Sequence, residues 1–196
     1  MAWIRTVDES AATGRLKERY QEDLDKLGFV MAATKAFSVS PTLAEAYRVF
    51  RDAVQTEGGL SLRERRLINL VVADRIRSTY CVLVYGTALE RELGGTGGLR
   101  AVLTDYRSAE LSEREVAVLD YALAVAVGGD CREHVERLRG LGLDDTAVLA
   151  VAFTAAFRLL GSRLYDALGV ETDPFFLEQE DLMEALPPHP KEAACR

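Results

Sequence analysis

Glycine punctuates this chain at intervals that suit helices and little else. Gly28, the pairs Gly58-Gly59, Gly94-Gly95 and Gly128-Gly129, and finally Gly169 each close a segment whose apolar residues favour helical spacing. A glycine just past the last turn adopts the left-handed conformation that ends a helix. Pro41 occupies a first helical position, where its missing N–H costs nothing. The pattern predicts helices over 13–27, 41–55, 67–76, 78–93, 97–106, 112–127, 135–141 and 144–168, with a short turn within 29–40. On the helix from Pro41, Leu43, Ala46, Tyr47, Phe50 and Val54 share a face. No segment shows sustained strand alternation, so the expected fold class is all-α.

Two helices open on the same signal. Leu60-Ser61-Leu62-Arg63-Glu64 and Leu111-Ser112-Glu113-Arg114-Glu115 both read as capping boxes, in which serine oxygen takes a free backbone N–H and glutamate reaches back to the serine N–H. The echo fits a duplicated helical hairpin, and it fits two independent caps of a common type. Between Leu67 and Ile76 apolar residues occupy more than one side, as in a helix buried between others.

At 196 residues the chain suits one domain, here expected over 1–175. Residues 176–196 form an acidic amphipathic arm and a proline-rich tip, Pro187-Pro188-His189-Pro190. The apolar side of the arm would lie on its own domain or on a neighbouring subunit. A net charge of −7, with no basic cluster interleaved with aromatics, argues against nucleic acid as a partner. No apolar run approaches the ~18 residues of a membrane span and the N-terminus lacks a signal-peptide layout, so no membrane partner is expected. Three cysteines, Cys81, Cys131 and Cys195, are too few for a disulfide scaffold and place the protein in the cytoplasm. His134 and His189 have no partners at metal-ligand spacing, and no phosphate-binding or dinucleotide fingerprint occurs. No metal and no cofactor is expected.

Chemistry concentrates at Ser78-Thr79-Tyr80-Cys81-Val82-Leu83-Val84-Tyr85. Cys81 lies one turn into a helix, where the partial positive charge of the N-terminus favours a thiolate. Tyr80 precedes it, and Tyr85 is one turn further on the same side. A lone cysteine in an apolar helix also reads as a small buried hydrophobe, and the residues alone leave both readings open.

With the flanking segments Leu27-Gly28-Phe29-Val30, Lys35-Ala36-Phe37-Ser38, Gly86-Thr87-Ala88-Leu89, Asp105-Tyr106-Arg107 and Asp166-Ala167-Leu168-Gly169-Val170, the chain resembles the AhpD-like alkylhydroperoxidase / carboxymuconolactone decarboxylase family, and most closely its peroxidase-related subgroup. The resemblance runs from about Thr13 to Phe175 and implies a multi-helix bundle built from helical hairpins. The peroxidase branch carries a glutamate on the preceding helix, then C-x-x-C, then a histidine one turn later. There the second cysteine attacks the peroxide, the first resolves the sulfenic acid, and glutamate and histidine relay the proton. Carried over, the glutamate falls on Arg66, the first cysteine on Ser78, the residue before the second cysteine on Tyr80, and the histidine on Tyr85. Only Cys81 stays as the family has it, in the attacking position.

A two-thiol cycle is thereby excluded. Arg66 becomes the candidate cation to act on Cys81 in place of the lost base, against a reading in which it is solvated beside Arg63 and Arg65. Tyr85 is a poor base but a competent hydrogen-bond donor. Cys131 and Cys195 read as incidental thiols, and Arg163 as a scaffold or pocket-lining cation paired with Asp166. Three functions follow from the resemblance. The first is a one-cysteine peroxidase taking an organic hydroperoxide and an external thiol reductant. The second is a catalytically silent binding or assembly module whose pocket holds a small apolar ligand. Decarboxylase or lactone chemistry comes third, because no general acid or base is visible. The resemblance also implies a homo-oligomer.

Overall fold

The computed structural model describes residues 2–185, so the tip from Pro187 to Pro190 and Cys195 lie outside the described residues. Among these every regular element is helical: α1 (Gly14–Leu27), α2 (Ala32–Ala36), α3 (Pro41–Thr56), α4 (Leu62–Arg75), α5 (Thr79–Leu89), α6 (Thr96–Asp105), α7 (Glu113–Val127), α8 (Arg132–Gly140), α9 (Asp145–Leu168), α10 (Pro174–Leu177) and α11 (Glu180–Ala185). Two 3-10 turns precede α1 and follow α5. The all-α expectation holds.

α4 is the centre of the bundle because it is buried on most of its sides. Leu67, Ile68, Leu70, Val72 and Ala73 are almost completely buried, and the helix packs on α5, α7 and α9. Its N-terminus carries the predicted capping box: Ser61 Oγ accepts from the Glu64 N–H at 3.1 Å, and Glu64 accepts from the Ser61 N–H at 2.7 Å. Ser112 and Glu115 repeat this on α7 at 3.2 and 2.8 Å. The two boxes face each other and exchange partners. Arg63 Nε donates to Glu115 at 2.6 Å, and Arg114 Nε donates to Glu64 at 2.7 Å. Whatever the origin of the echo, the caps are coupled in the folded chain.

Several expectations need correction. On the face expected from Leu43 to Val54 of α3, Leu43 is exposed and Phe50 is at the limit of exposure, so that face is only partly covered. The helix expected to reach Leu93 ends at Leu89 and continues as a 3-10 turn, while α8 begins ahead of Val135. α9 has 24 residues and holds an 18-residue stretch of mean hydropathy 1.5, long and apolar enough by length and composition to cross a membrane, contrary to the reading that no run comes near that length. Some 56% of that stretch is buried inside the bundle.

The arm lies on its own domain. Leu182 is buried over Gly86, where an added Cβ would stand 3.2 Å from Leu182 Cδ1 and 3.3 Å from Leu99 Cδ2. A larger residue there would press on both leucines, so glycine eases the close approach of the arm to α5. Phe176 is buried with its ring against Phe29.

Between α4 and α5 the chain turns within three residues. Arg77 takes a left-handed φ of 60°, and the Ser78 N–H closes back on Ala73 O at 2.9 Å. Glycine usually fills this position, since a Cβ there costs roughly 1–2 kcal/mol. Arg77→Gly is therefore expected to raise the melting temperature by about 2–4 °C, the gain being part of that cost less the entropy of the added glycine. Thermal unfolding with both proteins at one pH checks it.

Burial alone would raise the carboxyl pKa of Glu64 and Glu115, but the opposing guanidinium and the serine N–H and hydroxyl outweigh it, leaving both below the usual 4.5. A depressed carboxylate contributes stability that is present above the unfolded pKa and lost as pH falls through the folded one. Stability is expected to hold above about pH 5 and to decline below about pH 4.5. Glu64→Gln with Glu115→Gln should flatten that decline in denaturant titrations run from pH 6 to 3. An unchanged slope would show that these carboxylates do not govern it.

Candidate active site around Cys81

The tight turn at Arg77 fixes where α5 starts, and so fixes Cys81 in its first turn. The thiol is only 1% exposed, but it is not in apolar surroundings. Ser162, on α9, donates its hydroxyl to Cys81 Sγ at 3.4 Å. One turn earlier on α9 stands Arg158, 4% exposed, whose Nη1 donates to the Tyr85 hydroxyl at 3.3 Å. The guanidinium carbon lies 5.5 Å from the Tyr85 ring centroid and 5.8 Å from that of Tyr165. Arg158 Nε and Nη2 are buried without a hydrogen-bond partner.

Other aromatic hydroxyls complete the surroundings. Tyr47 and Tyr165 share a hydrogen bond at 3.1 Å, and either can donate. Tyr80 donates to Asp173 at 3.2 Å, while the other Asp173 oxygen accepts from the Ala32 N–H at 2.9 Å. Asp173 thus pins the start of the C-terminal arm to both α5 and α2. Cys81, Tyr80, Tyr85, Tyr47, Tyr165 and Arg158 all border one cavity of about 880 Å³, whose outer part is lined by α1 and α3.

Burial works against the Arg158 charge, but the negative charge that Tyr85, Cys81, Tyr165 and Tyr47 would carry on ionising outweighs it. Its pKa lies above the ordinary guanidinium value, so it is a cation throughout the accessible range. Burial raises the Tyr85 and Tyr165 phenols despite the opposing pull of Arg158. Tyr47 and Tyr80 are raised for the same first reason. At neutral pH these groups are hydrogen-bond donors and not bases. Among the described residues no cluster of histidine, cysteine and carboxylates fit to hold a metal occurs.

Of the five residues singled out from sequence, three meet at the cavity: Cys81, Tyr85 and Tyr80. Ser78 is buried with its hydroxyl unpartnered and does not line the cavity. Arg66 does not line it either. Its guanidinium bonds Glu92 at 2.6 Å and the Ala88 carbonyl at 3.4 Å, so the cation beside Cys81 is Arg158 instead. Arg163 is 68% exposed on its side chain and lies 3.9 Å from Asp166, a surface pair and not a pocket cation. The signal for Arg158 was in the sequence, as the single charge between Thr146 and Ser162 in an apolar helix.

By sequence no protein-family model and no curated protein matches the chain. Solved structures do match. The AhpD core described as an uncharacterized peroxidase-related protein from Ralstonia eutropha JMP134 aligns at a TM-score of 0.81 and 24% identity, over 96% of this chain and 98% of that one. The chain has the AhpD-like fold. An uncharacterized peroxidase-related protein from Silicibacter sp. TM1040 aligns at 0.76 with 22% identity over 87% of this chain and 93% of that one. The debrominase Bmp8, in a cysteine-to-alanine variant complexed with 2,3,4-tribromopyrrole, aligns at 0.77 with 16% identity over 93% and 97%. AhpD-like bundles therefore serve more than one chemistry.

One glycine is part of the site. A Cβ at Gly161 would collide with the Arg158 guanidinium and stand 2.7 Å from the Tyr47 hydroxyl oxygen. Gly161→Ala is expected to lower stability by about 1 kcal/mol, because overpacking outweighs the similar gain in helix propensity. Tyrosine near-ultraviolet circular dichroism should change with it. A more stable variant would mean that the guanidinium is free to move off α9.

Proposed function

We propose that this AhpD-like chain is a one-cysteine, thiol-dependent oxidoreductase that reduces organic hydroperoxides at Cys81. One observation carries the reading: a buried thiol on a cavity wall accepts a hydrogen bond from Ser162 and faces the fixed cation Arg158. A cation and a hydroxyl donor are what a thiolate needs in a site with little water.

The Cys81 thiolate attacks the outer peroxide oxygen, the O–O bond breaks, and the alkoxide takes a proton to leave as the alcohol. Tyr85, whose oxygen already accepts from Arg158, has its own proton free to hydrogen-bond the departing oxygen. Cys81 is left as a sulfenic acid. Ser78 stands where a resolving cysteine would be needed, so an external thiol attacks the sulfenic sulfur, releasing water and forming a mixed disulfide. A second external thiol frees Cys81 and leaves as the disulfide. One hydroperoxide is reduced to alcohol and water while two thiols are oxidised. The exposed Leu43 and Val49 on α3, with Leu149, Phe153 and Leu160 on α9, support a homo-oligomer, and the thiol chemistry suits the reducing cytoplasm.

The second reading, a silent binding module, draws on the 1% exposure of Cys81. Sulfenic acid trapping separates the two. After treatment with cumene hydroperoxide, a dimedone-type reagent should label Cys81 alone, and Cys81→Ser should abolish the adduct. Arg158→Met should slow labelling at least about tenfold, the worth of a hydrogen bond to a charged group. No adduct, or adducts only at Cys131 or Cys195, would overturn the peroxidase reading in favour of the module.

A further inference from the structure

Five arginines line the cavity, and four of them form ion pairs with carboxylates, Glu45 serving two. Arg15 lies 3.3 Å from Glu45, Arg19 lies 2.8 Å from Asp23, Arg48 lies 2.7 Å from Glu45, and Arg51 lies 2.8 Å from Asp52. Arg158 is the exception: among the described residues it forms no ion pair, and it is the innermost of the five at 4% exposure. Its contacts are neutral phenols and a thiol. Asp166 acts on Arg158 without forming an ion pair, and a buried cation with no carboxylate in contact is costly; side chains of this kind persist where an anion arrives to meet them.

We infer that the cavity takes a substrate bearing a carboxylate, which docks against Arg158 with its apolar body along Phe37, Val84 and the tyrosine rings. The inference rests on the peroxidase reading of Cys81 and narrows it. Arg158 and Ser162 are one turn apart on α9, roughly 6 Å along the axis, and Ser162 touches the thiol. A hydroperoxide delivered to Cys81 while its carboxylate sits on Arg158 must therefore carry the two groups only a few bonds apart. The carboxylate is unchanged by the reaction, so electrons and protons balance as for any hydroperoxide. About 880 Å³ is ample for a small aromatic or branched acid.

Benzoate and its neutral analogue benzamide are the binding probes, titrated calorimetrically into the full-length protein and into Cys81→Ser, which removes the redox chemistry. Benzoate is expected to bind both proteins at least about tenfold more tightly than benzamide, and Arg158→Gln should erase the difference. In parallel, kcat/KM for a carboxylate-bearing aryl hydroperoxide is compared with that of its methyl ester, with a preference of about tenfold or more expected for the acid. Equal affinity for benzoate and benzamide in the unmutated protein would overturn the inference whether or not Arg158→Gln folds. Retention of benzoate preference in a folded Arg158→Gln would overturn it as well. If benzoate is preferred through Arg158 but no sulfenic acid ever forms at Cys81, the peroxidase reading fails and carboxylate recognition stands. If Cys81 turns over acid and ester alike, the reverse holds.

Discussion

The crossed pairs between the two capping boxes hold together two helix ends that would otherwise repel. α4 and α7 bring their N-termini side by side, and each terminus carries a partial positive charge and unsatisfied N–H groups. Glu64 and Glu115 answer both problems at once, each capping its own helix and accepting an arginine from the other. The arginines in turn keep two carboxylates from facing each other uncompensated. With that junction fixed, α4 is buried between its neighbours and packs on α5, α7 and α9.

The site follows from this arrangement. The turn at Arg77 sends the chain from α4 into α5 within three residues, so the start of α5 is held against the central helix. α9 crosses the same helix, and two of its inward positions one turn apart, Arg158 and Ser162, reach Tyr85 and Cys81. Gly161 removes the side chain that would push the guanidinium away. Asp173 ties Tyr80 to the α2 backbone, joining the rim of the cavity to the C-terminal arm.

Helices were legible in the sequence because their ends are local events. Ser61, Ser112 and Asp144 cap within three residues, and Gly28, Gly128 and Gly169 stop helices with their own backbone. The Cys81–Tyr85 relation was legible for the same reason, since it spans one turn. What was not legible is direction. On a helix buried on most of its sides, as α4 is, periodicity does not say which way Arg66 points, and it points to Glu92. One residue on a helix is a rotation of about 100°, which is why the pair Ser162-Arg163 divides as it does. Ser162 faces the thiol and Arg163 faces solvent. Arg158 and Asp173 meet their partners across the sequence, and no window short enough to read by eye contains both members.

Where the resemblance would expect a carboxylate and an imidazole, this cavity presents a guanidinium and phenols at its inner end, and that difference decides what such a site can do. Glutamate and histidine gain and lose protons near neutral pH. Arg158 does not titrate in that range, and burial keeps Tyr85 and Tyr165 protonated well above it. The cavity can therefore hold negative charge and donate hydrogen bonds, and among the described residues no histidine or carboxylate hydrogen-bonds Cys81 to take its proton away. Reactions that begin from an anion and release another fit that inventory. Those requiring a base to create the nucleophile at the moment of attack do not. A thiolate displacing an alkoxide from oxygen is of the first kind.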